Sequence, residues 1–308
     1  MQDGLVIRST GSWYEILTRD RHVYKCRLKG KFKIKGLKTT NPLAVGDKVR
    51  FELEDVAENT GIIVEMLPRD NYIIRKSVHK SSFGHILAAN VDQAVLIVTL
   101  VFPRTSLGFI DRFLVTTESF RIPTTLVFNK TDLLGEEGWQ SQRELVALYE
   151  SIGYPCLLTS VTADEGINTF HACLQHKVSL LAGHSGVGKS SLVNRVAPDL
   201  QLRTSEVSTF ANKGTHTTTF AEMFEIEPET FIIDSPGIKE LGLIDIEKEE
   251  LSHFFPEMRD RLGECKYHNC THVHEPGCAV RDAVKSGEIA ESRYYSYLSM
   301  LHGEDNRR

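Results

Sequence analysis

Eight residues near the middle of the chain, Gly183-His184-Ser185-Gly186-Val187-Gly188-Lys189-Ser190, have the spacing G-x-x-x-x-G-K-S. Glycines at these positions let the backbone turn tightly and aim N–H groups at phosphate oxygens. The start of a following helix adds partial positive charge. Lys189 has the reach for β- and γ-phosphates, the Ser190 hydroxyl can ligate Mg²⁺, and Ser191 follows on the helix. A glycine-rich turn before a helix is the bland alternative. The apolar run Val178–Ala182 before the loop and the amphipathic stretch to Ala197 after it supply a strand and a helix. In that context the segment reads as a nucleoside triphosphate site.

Other groups select the nucleotide. Asn129-Lys130-Thr131-Asp132 follows the apolar run Thr124–Phe128, where α/β sheets place ligand loops. An Asp carboxylate accepts both guanine donors, N1–H and the 2-amino group, and adenine offers no such pair. Asn129 would tie this loop to the phosphate loop, and the Lys130 stem would cover the purine. At the end of another strand Thr159-Ser160-Val161 could give guanine O6 a backbone N–H, or simply be a turn. Asp234-Ser235-Pro236-Gly237 could hold the Mg²⁺ shell through Asp234 and sense the γ-phosphate through the Gly237 N–H. Between these segments Gly214-Thr215-His216-Thr217-Thr218-Thr219 offers hydroxyls for Mg²⁺; Thr218 is the choice, with Thr217 and Thr219 open. Together they look like the switch segments of a GTPase.

Two departures from the common GTPase pattern are informative. Asn129–Asp132 precedes the phosphate loop, so the domain is circularly permuted, and the C-terminal segment beyond Gly237 hangs directly from the second switch. Loss of the γ-phosphate would release that segment and could move the module it carries. Ile238 stands where Ras-like enzymes have a water-orienting Gln, so slow intrinsic hydrolysis and a stimulating partner are expected. His216 is the nearest candidate to position the water, beside Lys189 and Thr218 as catalytic residues.

Near the C-terminus, Cys265-x₄-Cys270-x-His272-x₅-Cys278 offers three thiolates and an imidazole, a donor set suited to closed, tetrahedral, structural Zn²⁺. His268, His274 and His253 are rival ligands. Cys26, Cys156 and Cys173 sit in apolar contexts and read as packing residues.

The elements that must position these groups fall into three expected domains. Residues 1–70 carry five short candidate strands (Leu5–Ile7, Ser12–Leu17, Val23–Leu28, Lys48–Leu53, Gly61–Met66) and suggest a small β-barrel of the OB kind, with an SH3-like barrel as the rival. Residues 71–243 alternate strands and helices as a doubly wound α/β domain, and 244–308 form a mostly helical zinc-binding module. The 308 residues are 41% hydrophobic and 25% charged, with no run of about 18 apolar residues, so no membrane span is expected and the cytoplasm is the default compartment. The net charge of −5 hides seven cations between Lys25 and Lys38 without an acid (Lys25, Arg27, Lys29, Lys31, Lys33, Lys35, Lys38). Such a run is either a solvated face or a contact for an RNA backbone.

The motifs together closely resemble the bacterial ribosome small-subunit-dependent GTPases, the ribosome biogenesis GTPase A family. The likeness rests on Pro42…Gly46-Asp47, Ala89-Asn90-Val91-Asp92-Gln93, Asn129–Asp132 ahead of Gly183–Ser191, Gly214…His216-Thr217-Thr218-Thr219, Asp234–Gly237 and the Cys/His spacing. Thr215, where the family often has Arg, and Val161, in place of a smaller residue, depart from it. The resemblance implies an OB barrel, a permuted GTPase domain and a zinc module. It also implies GTP hydrolysis stimulated by the small (30S) ribosomal subunit during its late maturation, and contact with rRNA; the motifs themselves call for GTP/GDP, Mg²⁺ and one Zn²⁺, and a monomer is expected. An RNA-binding module with an idle nucleotide site, and a GTPase with a non-ribosomal target, are the competing functions.

Overall fold

The computed structural model describes residues 1–30, 41–55, 57–76, 84–200, 221–234 and 246–304. Alternation of inward and outward side chains shapes the first module. In β1 (Gln2–Ser9), β2 (Tyr14–Leu17), β3 (Val23–Leu28), β4 (Lys48–Asp55) and β5 (Thr60–Met66), the inward positions supply Val6, Tyr14, Ile16, Cys26, Phe51 and Ile63 to one core. β1 pairs with β2 and β4, β2 with β3, β3 in parallel with β5, and β5 with β4. The circuit closes in the order 1-2-3-5-4, the OB arrangement, and the SH3-like alternative drops out. Lys25, Arg27 and Lys29 are exposed around buried Cys26, as the alternation requires, and Arg27 pairs with Glu54 of β4. Lys31, Lys33, Lys35 and Lys38 lie outside the described residues.

The Pro42–Asp47 turn locks the barrel to the start of the α/β domain. Buried Asp47 accepts two bonds of 2.7 Å from Arg69 and one of 2.8 Å from Ala44 N–H. Gly46 has φ +87°, and a Cβ there would lie 2.0 Å from Ala89 O, so only glycine lets the backbones approach this closely. Asn90 Nδ2 donates to Gly46 O at 2.8 Å. These are among the residues that carry the family likeness. They hold two modules together.

Next comes an antiparallel hairpin, β6 (Tyr72–Lys76) and β7 (Gly84–Ala89), which the sequence pattern did not announce. The main sheet follows: β8 (Gln93–Val98), α1 (Leu107–Ser119), β9 (Thr124–Asn129), α2 (Glu136–Ser151), β10 (Cys156–Thr159), α3 (Ile167–Leu174), β11 (Val178–Ala182), α4 (Lys189–Val196), β12 (Glu222–Glu227) and β13 (Thr230–Asp234). Spatial order is β10-β9-β8-β11-β13-β12, with β12 antiparallel at the edge. Successive residues of β8 point to opposite faces: Ala94, Leu96 and Val98 pack with α1 and α2, Val95 and Ile97 with α3 and α4. Helices cover both faces, which explains the near-continuous apolar strands. The outer edge of β12 meets β1 through the pair Arg8↔Glu222, so barrel and GTPase-type sheet form one continuous sheet.

The last module is helical, with α5 (Pro256–Arg259), α6 (Ala279–Ser286) and α7 (Glu291–His302) around Leu251, Phe255, Met258, Val280 and Tyr297. Val115 of α1 completes this core, which therefore continues into the sheet domain. Among the described residues no helix is long and apolar enough to cross a membrane.

Candidate functional site

The phosphate loop connects β11 to α4 as expected. Val187, fully buried among Val95, Leu181 and Leu192, anchors its middle. Gly188 caps α4 in the left-handed conformation at φ +96°, and a Cβ there would meet Asn129 Nδ2 at 2.4 Å. Lys189 Nζ lies along the loop and donates to Gly183 O (2.7 Å) and His184 O (2.9 Å). His184 stacks on Phe109 of α1 with ring centroids 4.0 Å apart. Ser185, Ser190 and Ser191 are half-buried around the turn, while Gly186 is exposed beside Pro103.

The residues expected to recognise the base assemble next to this loop. Asn129, at the end of β9, donates through Nδ2 to Val187 O at 2.8 Å and accepts at Oδ1 from the Thr159 hydroxyl at 2.9 Å. The amide therefore bridges three loops. Lys130 takes a left-handed turn at φ +63°, and its ammonium donates to Phe102 O at 2.6 Å. Thr131 is buried, with its hydroxyl 3.4 Å from Thr159 O. Exposed Asp132 accepts from the Ser160 hydroxyl, and that oxygen in turn accepts from Ala163 N–H at 3.0 Å. Within the Thr159-Ser160-Val161 segment the Ser160 N–H donates to Glu165 O at 3.0 Å, while the Ser160 hydroxyl holds the Asp132 carboxylate. The Thr159 hydroxyl and Phe102 carbonyl were not anticipated. Thr159 was visible only as the last residue of a strand, and nothing near Phe102 signalled the contact.

Asp234 closes β13 next to Leu181 of β11, half-buried. Burial holds its carboxyl above the ordinary range, and the Lys189 ammonium pulls the other way. The carboxylate is thus better served by a cation than by water. Gly214, Thr215, His216, Thr217, Thr218, Thr219, Gly237 and Ile238 lie outside the described residues.

The second constellation is the Cys/His cluster. The ligand atoms of Cys265, Cys270, His272 and Cys278 all lie within 4.8 Å of one another. Cys265 Sγ and Cys278 Sγ are 4.0 Å apart, and His272 Nδ1 is 3.7 and 3.4 Å from them. A tetrahedral Zn²⁺ with Zn–S of about 2.3 Å and Zn–N of about 2.0 Å needs edges of roughly 3.6–3.8 Å, and a disulfide would need about 2.05 Å. The donors fit the ion, with Nδ1 as the imidazole ligand. His268, His274 and His253 are exposed and outside the cluster. The loop is held from below: Glu275 accepts from Thr271 N–H, the Thr271 hydroxyl, Val273 N–H and His274 N–H at 2.6–3.0 Å. Tyr294 and Tyr297 of α7 donate to His272 O and Thr271 O at 2.6 and 2.7 Å. Cys26 is buried in the barrel and burial pushes its thiol up to about 12, as it does for Cys156, which fits packing roles.

Known proteins resemble the whole of this architecture. The chain matches the family RsgA GTPase over residues 66–244 and the RsgA N-terminal domain over residues 3–63. It is 50% identical over 302 residues to the small ribosomal subunit biogenesis GTPase RsgA 2 of Bacteroides thetaiotaomicron, covering 98% of this chain and 97% of that protein. With the RsgA of Cytophaga hutchinsonii it shares 48% identity, covering 99% of each chain. The crystal structure of YjeQ from Thermotoga maritima superposes with a TM-score of 0.81 at 35% identity, covering 100% of this chain and 99% of that one. YloQ, described as a circularly permuted GTPase, gives 0.75 at 29% identity, with coverage of 100% and 96%. The order Asn129–Asp132 ahead of Gly183–Ser190 agrees with the description of YloQ as circularly permuted, and the chain belongs to the RsgA family of GTPases.

Proposed function

We propose that this protein hydrolyses GTP to GDP and phosphate as a switch in late maturation of the small (30S) ribosomal subunit, docking on its rRNA as a monomer in the cytoplasm. The observation that carries the enzymatic reading is the bridge from Asn129 to Val187 O, which fixes an Asp132 carboxylate beside a lysine-bearing phosphate loop. Asp132, held by Ser160, accepts guanine N1–H and the 2-amino group; Lys130 covers the ring. Since the Ser160 N–H is occupied, guanine O6 falls to the next N–H groups of that loop, Val161 or Thr162. Backbone N–H groups from Gly183 to Ser191 surround the phosphates, and Lys189 swings from the loop carbonyls to the β- and γ-oxygens. Ser190, Thr218 and Asp234 would hold Mg²⁺, and the bound ion would supply charge neutralisation at the phosphate oxygens. Gly237 senses the γ-phosphate, and His216 positions the water that Ile238 cannot.

In this reading residues 1–70 dock on RNA, 71–243 turn over GTP, and 244–308 form a zinc-stabilised module. The exposed cations Lys25 and Lys29 and the relatives' printed role in small-subunit biogenesis favour an RNA-rich partner. GTP turnover with and without isolated small subunits, at several salt concentrations, tests it. Strong stimulation that weakens as salt rises is the expected result. Equal turnover with and without subunits refutes the ribosomal reading, and no turnover in either condition refutes the enzymatic one.

A further inference from the structure

Four charged residues stand in one cross-strand row that crosses from the barrel into the nucleotide domain. Glu15 of β2 is paired with Arg8 of β1, Arg8 with Glu222 of β12, and Glu222 with Asp234 of β13. Strands lie about 4.8 Å apart, so the row spans roughly 14 Å. Arg8 reaches both neighbours in it: Nη1 is 3.8 Å from Glu15 Oε1 and Nε is 3.8 Å from Glu222 Oε1. Its side chain is 45% exposed, and pairs that wet contribute little to stability. Their effect is on the local field. Two carboxylates directly opposite each other repel, and Glu222 faces Asp234, the proposed Mg²⁺-side carboxylate, beside the strand pairing that joins the barrel to the main sheet.

We propose that Arg8 is a positioning residue for the Mg²⁺ side of the nucleotide site: it neutralises Glu222 from the barrel and thereby sets how strongly nucleotide affinity depends on Mg²⁺. This rests on the proposed role of Asp234 in holding Mg²⁺. Without Arg8, the Glu222 carboxylate stands uncompensated beside Asp234, whose own charge Lys189 offsets, so metal-free nucleotide is repelled more and the divalent ion is drawn in more strongly. Without the Glu222 charge, the opposite holds. The barrel thus has an electrostatic route to the site that does not pass through either switch segment.

The test is the affinity of the full-length protein for a fluorescent GTP analogue, measured in EDTA and across a Mg²⁺ titration. The ratio of the two dissociation constants should rise about three- to tenfold in Arg8→Ala and fall by a similar factor in Glu222→Gln. It should return to the wild-type value in the double variant and stay there in Arg8→Lys, which keeps the charge. A merely structural seam would move both single variants the same way or neither. Either of those results, with the ratio lowered in Asp234→Asn, overturns the inference. An unchanged ratio in Asp234→Asn overturns the reading of Asp234 and the inference with it.

Discussion

The C-terminal module is fastened to α1 by a charge that has no water to fall back on. The Arg293 side chain is 1% exposed, as is that of Asp111, and that of Glu257 is 7% exposed. Arg293 Nη1 donates to Asp111 Oδ1 at 2.7 Å, Nε to Glu257 Oε1 at 2.7 Å and Nη2 to Glu257 Oε2 at 3.3 Å, and the guanidinium lies 4.7 Å from the Phe255 ring centre. The Tyr149 hydroxyl adds a bond of 2.9 Å to Asp111. Burial opposes the charge on Arg293, but the two carboxylates more than offset it and hold the group protonated. Arg293→Met would leave two carboxylates buried and unpaired, a loss of about 3–5 kcal/mol. Exchange of the α7 amides through opening of the module should then accelerate by roughly two to nearly four powers of ten. Adding Asp111→Asn and Glu257→Gln removes the uncompensated charge and should recover most of the loss. Hydrogen exchange reports this directly, since Trp13 and Trp139 both lie outside the module. An α7 that exchanges within about threefold of wild type in Arg293→Met refutes the argument.

Other outcomes follow from the geometry. Gly188→Ala combines a left-handed backbone with a Cβ 2.4 Å from Asn129 Nδ2, so GTP affinity measured by calorimetry should fall about 10- to 100-fold and thermal stability should drop by about 1–3 kcal/mol. Metal analysis should find one zinc per chain; a strong chelator should remove it and abolish exchange protection across 265–278, whereas Cys26→Ser should leave the metal in place. The hydroxyls of Tyr149, Tyr154 and Tyr297 are held above their ordinary range by burial. Above about pH 10 the unfolded chain releases those protons and the folded chain keeps them, so stability should be fully present below pH 10 and fall as pH rises beyond it. Urea midpoints unchanged from pH 9 to 11 would contradict that.

What could be read from the sequence was local. Val178–Ala182 is a strand with the bounds its apolar run suggests, because a parallel strand covered on both faces is largely apolar. The sequence pattern predicts a helix over Arg143–Ile152, whereas α2 starts earlier, at Glu136, where Gly138 lowers helix propensity but Glu136 and Glu137 favour a helix N-terminus. The near-continuous apolar run from Val91 to Val101 predicts one long strand, but β8 spans only Gln93–Val98, and its start is set from afar: the Asn71 amide brackets Val91, and Asp92 accepts from Val178 N–H. The β6–β7 hairpin escaped for the same reason, since its register is tied to the barrel turn through Asn41, which exchanges hydrogen bonds with the backbone of Ile86. In the site, residue types revealed Asp132 and Lys189. The neighbours that aim them, Ser160 and Thr159, became visible only once β9 and β10 lay side by side.

These attachments bear on how a permuted GTPase transmits its state. From the motif order alone, the C-terminal module hangs from the second switch and would be released with it. In the fold the module has a second hold, on α1, through Arg293–Asp111, Arg259–Glu118 at 2.9 Å, Arg112 to Glu304 O at 2.8 Å and the shared Val115 core. Breaking a buried network of this kind costs several kcal/mol, about the full differential that a bound nucleotide needs to drive a conformational equilibrium from one extreme to the other. A module swinging free on loss of the γ-phosphate is therefore the expensive outcome. The cheaper one keeps 246–304 packed on α1 and changes only the segment leading into it. Hydrogen exchange in GDP and GTP-analogue forms separates the two: protection of α7 should be the same in both, with differences confined to residues ahead of 246. Loss of α7 protection in the GDP form would mean that the switch, rather than α1, controls the module.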